Sequence, residues 1–115
     1  MKSYNGFSAY QRQKGSNILK QAIDKGILEH PNNCKCSFCG QDKGIRHYHN
    51  EDYSEDKVVT TAVVLCWRCH MMLHGRFKHP LSFAQYIIDI FVNKKKFEPV
   101  FRANDFEKLE IHYID

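Results

Sequence analysis

Hydrophobic positions follow a helical period at both ends of the chain and lose it in the middle. Over residues 8–25, Ile18, Leu19, Ala22 and Ile23 recur at the intervals of one helix face, with Gly15 a weak point and Gly26 placed to end the helix. Residues 27–44 carry Pro31, Asn32, Asn33, Gly40 and Gly44 among cysteines, a composition that reads as irregular structure held by something other than apolar burial. Residues 45–49 predict a short strand, and the β-branched run 58–65 (VVTTAVVL) predicts a longer one, with the polar residues 50–57 as the loop between them. The helical period returns over 68–77, and again over 82–93 beyond the boundary at Pro80. In this last helix Phe83, Ile87, Ile90 and Phe91 form one stripe and Ala84, Ile88 and Val92 another. So apolar a helix is expected to be buried on most sides, or to face a partner: a second copy of the chain or a larger protein. Lys94, Lys95 and Lys96 at its end complement its dipole. Residues 105–114 predict a last short helix or strand, and the whole order predicts an α+β fold.

At 115 residues, two independent cores would each bury too little surface, so one domain is expected over 1–115. It divides into helical extensions, 1–33 and 78–115, around a central core, 34–77. No apolar run reaches the roughly 18 residues of a membrane span, and the first ten residues lack the apolar stretch of a secretion signal, so a cytoplasmic protein is expected. The net charge of +4 permits nucleic-acid binding without demanding it. Its excess lies outside the centre, with five basic and two acidic residues over 1–33 against five of each over 34–75. Within or beside the core, Arg46, Arg68, Arg76 and Lys78 are the candidate phosphate contacts.

Five cysteines in a chain expected to sit in a reducing compartment point to metal rather than disulfides. Cys36-Ser-Phe-Cys39-Gly40 and Cys66-Trp-Arg-Cys69 are two Cys-x-x-Cys knuckles with 26 residues between them. Two thiolates at that spacing wrap one face of a tetrahedral Zn²⁺, and a second pair closes the shell, which leaves no open position for chemistry. The zinc is therefore expected to be structural, held by Cys36, Cys39, Cys66 and Cys69. Cys34 is left over, because Cys34 and Cys39 enclose a looser loop than the knuckle that ends in Cys-Gly.

The histidines carry a second pattern. If the second knuckle opens a helix, His70 and His74 emerge on one face, one turn apart, where two imidazoles can share an ion. On a strand, His47 and His49 project to one side while Tyr48 projects to the other. Strand, loop, strand and helix in that order are expected to bring His49 opposite His70 and His74.

Cys-x-x-Cys-Gly, a His-bearing strand, a β-rich segment ending in Leu65-Cys66-x-x-Cys69-His70, and then His74: this order resembles the zinc-braced HNH nucleases with their ββα-metal site. Over His49-Asn50-Glu51-Asp52-Tyr53-Ser54 and residues 65–74 it is similar to small HNH-like proteins of phages and bacteria. The resemblance covers residues 34–77. It implies a zinc-stabilised ββα-metal core with flanking helices, and a metal-dependent DNA endonuclease or nicking enzyme acting in a bacterial or phage-infected cell. It also implies a second divalent ion, Mg²⁺, Mn²⁺ or Ni²⁺, held by His70 and His74, with His47 a further candidate ligand and His49 the catalytic residue.

The chain departs from that family in three places. Counted from Cys39, His49 takes the position of the general base and Tyr48 that of a ligand; aligned through Glu51-Asp52-Tyr53, His49 becomes the ligand and Asn50 stands in place of the base. The family's central Asn, which braces the loop behind the base, is Thr61 here. Asn50 is a candidate to supply part of that bracing, and Glu51 and Asp52 are either substitute ligands or solvated loop acids. The alternative reading is a zinc-braced protein that keeps the HNH shape without catalysis and binds nucleic acid, or inhibits or recruits a partner protein.

Overall fold

Ser8 starts the first element with a reciprocal cap. Its hydroxyl accepts from the Gln11 amide at 3.1 Å, and the Gln11 side chain accepts from the Ser8 amide at 2.8 Å. Helix α1 runs Ala9–Asp24, within one residue of the expected span at each end, and Gly26 follows at φ +75°. The structure, a computed structural model, describes residues 2–102. Its further elements are a 3₁₀ turn Pro31–Asn33, strands β1 (Arg46–His49) and β2 (Val63–Cys66), and helices α2 (Trp67–His74) and α3 (Pro80–Phe91). β1 and β2 pair in a two-stranded sheet, which makes the fold α+β as expected. The element expected over 105–114 lies outside the described residues. Among the described residues no helix is long and apolar enough to cross a membrane.

The described residues gather into two compact units, one drawn from those up to His30 and Tyr48–Val63, the other from Pro31–His47 and those from Val64 onward. In the first, the segment after β1 packs on α1 through buried Tyr53 and Val58. Gly15 is where the helix admits them: a Cβ there would lie 3.1 Å from the Tyr53 carbonyl oxygen and 3.3 Å from Val58 Cγ2. The Arg12 guanidinium sits over the Tyr4 and Tyr53 rings at 5.1 and 5.2 Å, and Phe7 meets Tyr53 edge-on at 5.7 Å. Gly15→Ala is thus expected to destabilise this unit although alanine is the better helix former. Overpacking costs about 1–3 kcal/mol, against about 1 kcal/mol of helix propensity gained. A urea titration followed by circular dichroism should show a lower midpoint, and an unchanged or higher one would contradict the close approach.

The long strand expected over 58–65 is absent; only Val63–Cys66 is extended. Asp52 accepts hydrogen bonds from the amide and hydroxyl of Ser54, which turns the chain. The Val58 amide then reaches the Ser54 carbonyl at 2.9 Å and the Thr61 amide the Lys57 carbonyl at 3.0 Å, as in helical turns. Thr60 and Thr61 donate their hydroxyls to the same Lys57 carbonyl. Turn chemistry just before the run and burial of Val58 at its start outweigh its β-propensity.

The second unit has its core around the cysteines: Cys36, Leu65, Cys66, Cys69, Met72, Tyr86 and Ile90 are buried together, with Phe38, Cys39, Leu73, Phe83 and Phe97 packed on them. α3 begins at Pro80 itself, since a first helical turn has no use for the missing amide. It buries one face only, Ser82, Tyr86 and Ile90, spaced four apart. Leu81, Ile88, Phe91 and Val92 are 44–70% exposed, so of the two expectations for this helix, burial on most sides or a face toward a partner, the first does not hold.

Candidate metal centre

Each knuckle is shaped by its own backbone. In the first, the Cys36 amide donates to the Gln41 carbonyl at 2.8 Å and the Gly40 amide returns to the Cys36 carbonyl at 2.9 Å. Closing so tight a turn puts residue 40 at φ +80°, a conformation glycine adopts without steric cost. The amides of Phe38 and Cys39 then point at Cys36 Sγ, at 3.4 and 3.5 Å. The second knuckle has a different build. Cys66 is both the last residue of β2 and the N-cap of α2, its sulfur accepting from the Cys69 amide at 3.5 Å. A bond from the Ser37 amide to the Val64 carbonyl, 2.8 Å long, ties the first knuckle to the strand that delivers the second.

The sulfurs of Cys36, Cys39, Cys66 and Cys69 lie within 4.8 Å of one another. A zinc–sulfur length of about 2.3 Å sets the edges of an S₄ tetrahedron at about 3.8 Å, and Cys39 Sγ and Cys66 Sγ are 3.7 Å apart. No disulfide joins the five cysteines. Donor type, number and spacing all suit a structural metal ion such as zinc. Cys36, Cys66 and Cys69 are 1–4% exposed, so such a site is closed.

Electrostatics point the same way. Hydrogen bonds from Cys39, and then from Cys66 and Cys69, hold the Cys36 thiol far below its ordinary range. Hydrogen bonding to Cys36 first, and to Cys39 next, pushes Cys66 and Cys69 far above theirs. Four clustered sulfurs thus settle on few negative charges by themselves, and all four become thiolates together only around a cation. When bound, zinc supplies a cross-link between residues 36–39 and 66–69.

Tyr86 is a member of this centre that the sequence reading passed over. Its Oη lies 3.0 Å from Cys69 Sγ. Burial first, and the nearby sulfur charge second, hold the phenol far above its usual range, so it keeps its proton. The available signal was a phenol four residues from Ser82 and from Ile90, midway along the face that the helix buries.

Among the histidines of this unit, His70 Nε2 and His74 Nε2 are 2.9 Å apart on one face of α2, as the four-residue spacing requires. His47, on the exposed side of β1, has its ring 6.1 Å from that of His70 and 5.7 Å from that of Trp67. His49 belongs to the other unit. It is 2% exposed, with Nε2 3.5 Å from Glu51 Oε2 and the Tyr4 ring edge-on at 6.2 Å. Next to it, Asn50 is 5% exposed and donates to the Val58 carbonyl at 2.7 Å, clasping the loop after β1. Tyr48 donates its hydroxyl to the Glu29 carbonyl at 2.6 Å. The Thr61 hydroxyl is engaged within its own turn and, among the described residues, braces no other segment. Hydrogen bonds from Ser54 hold the Asp52 carboxyl below its usual range; Asp52 is a turn-former.

Two of the four expected phosphate contacts face inward. Arg46 donates to the carbonyls of Cys34, Gly44 and Asn32, and Arg68 to that of Glu98 at 2.9 Å with its guanidinium over the Phe97 ring. Both are buried, so they act as braces of the loops around the knuckles. Arg76, partly exposed over Phe77, donates to the Leu73 carbonyl, and Lys78 is exposed. Compared with protein-family descriptions, curated proteins and solved structures, the chain matches none.

Proposed function

We propose that the chain is a metal-dependent HNH-type endonuclease or nicking enzyme that hydrolyses phosphodiester bonds in DNA. The observation that carries the reading is the His70–His74 pair. It stands on a helix opened by the second knuckle of a four-cysteine cluster, with the two Nε2 atoms 2.9 Å apart. A divalent ion on that pair, Mg²⁺, Mn²⁺ or Ni²⁺, would polarise the scissile phosphate and stabilise the leaving oxygen. His49 takes the proton of the attacking water, in keeping with a buried imidazole beside the Glu51 carboxylate. Asn50 takes over the bracing that Thr61 does not provide, through its bond to Val58. Arg76 and Lys78 are the phosphate contacts left to this reading once Arg46 and Arg68 are turned inward.

The test is the conversion of supercoiled plasmid to nicked circles by zinc-loaded protein in Mg²⁺, Mn²⁺ or Ni²⁺. Nicking that stops with EDTA supports the proposal. A folded, zinc-loaded protein that leaves plasmid intact under all three ions returns the chain to the alternative, a zinc-braced binding protein.

A further inference from the structure

Thiolates around zinc are stabilised by donors aimed at sulfur, and the two knuckles differ in what they supply. Cys36 Sγ receives two backbone amides and Cys66 Sγ one. Cys69 stands in the first turn of α2, so the amides that follow it are directed along the helix to carbonyls four residues back. Its knuckle therefore has no amide to offer Cys69 Sγ, and the group that approaches this sulfur is the Tyr86 hydroxyl from α3, at 3.0 Å. Tyr86 is 6% exposed and fixed in place: its ring stacks on Phe97 at 5.6 Å, and the Arg68 guanidinium covers Phe97 at 4.5 Å.

We infer that Tyr86 is an outer-shell residue of the zinc site, donating its hydroxyl proton to the Cys69 thiolate in place of a knuckle amide and slowing release of the metal. The inference rests on the four-cysteine metal reading and adds to it a residue from a third element. In the thiol form either atom of the pair can donate; once Cys69 is a metal-bound thiolate, only the phenol can.

The experiment compares the protein with Tyr86→Phe, which keeps the ring and its stacking. Zinc release into excess chelator is followed by a colorimetric zinc indicator, and Co²⁺-substituted samples are examined by absorption. Tyr86→Phe is expected to hold one zinc per chain and lose it about tenfold faster, the lower end of the usual outer-shell effect. Its sulfur-to-cobalt charge-transfer band should move to lower energy, since an unassisted sulfur gives up its electron more readily. Equal release rates with coincident bands would overturn the role, and faster release with coincident bands would reduce Tyr86 to packing. A measurement on the unmutated protein stands apart from any folding defect: after ¹¹³Cd substitution, a hydroxyl proton scalar-coupled to the metal is expected, and its absence would count against the bond. Lack of zinc in the unmutated protein would overturn the four-cysteine reading itself, and the Tyr86 role with it.

Discussion

Cys66→Ser is expected to strip the zinc and unfold the second unit, whereas Cys34→Ser leaves metal and fold in place. Structural zinc contributes apparent binding energies of about 10–16 kcal/mol to small folds, as much as the whole stability of about 5–15 kcal/mol of an ordinary domain. Losing one thiolate therefore removes most of what orders this unit. Cys66 adds to the effect, because its sulfur also caps α2 and is 4% exposed in the core. Cys34 is outside the four-sulfur group. It serves the fold through its backbone, whose amide bonds to Pro31 and whose carbonyl accepts from Arg46, and serine preserves both bonds. Zinc content per chain and the far-ultraviolet dichroism of the two variants decide the matter; equal zinc loss from both would mean that the ligand set is wrongly assigned.

The second large effect concerns the histidine pair. His74→Ala should lower divalent-ion-dependent nicking by about 10³-fold or more, the several kcal/mol that a metal ion contributes to stabilising the transition state. Fold and zinc content should be unchanged, because His74 is half-buried and outside the cysteine cluster. His49→Ala should be as damaging to nicking, but as a base mutant it should still bind the ion. Calorimetric titration of Mn²⁺ into both variants separates the two roles: binding lost in His74→Ala and kept in His49→Ala is the expected pattern. Loss of Mn²⁺ binding in both would make His49 a ligand, and undiminished nicking by His74→Ala would remove the pair from the reaction.

What was legible in the sequence was local. The span of α1 and its end near Gly26, the two knuckles with Gly40, and the shared face of His70 and His74 all depend on local spacing along the chain. What was not legible depends on contacts made elsewhere in the chain. The run 58–61 has strong β-propensity, yet the Asp52–Ser54 turn and the burial of Val58 beneath Gly15 decide its shape. Arg46 and Arg68 are indistinguishable from surface charges until the carbonyls of residues 32, 34, 44 and 98 are brought to them. In α3 the apolar stripes were visible, but the helix turns Tyr86 rather than Ile88 or Phe91 toward the core, because Tyr86 is the side chain that reaches Cys69.

The central claim is a closed, four-sulfur metal site that orders the second unit, and zinc K-edge X-ray absorption on the purified, dialysed protein tests it most directly. The account expects one zinc per chain surrounded by four sulfurs at about 2.3 Å. A shell containing histidine nitrogen, a disulfide between the knuckles, or a fully folded protein without zinc would contradict it.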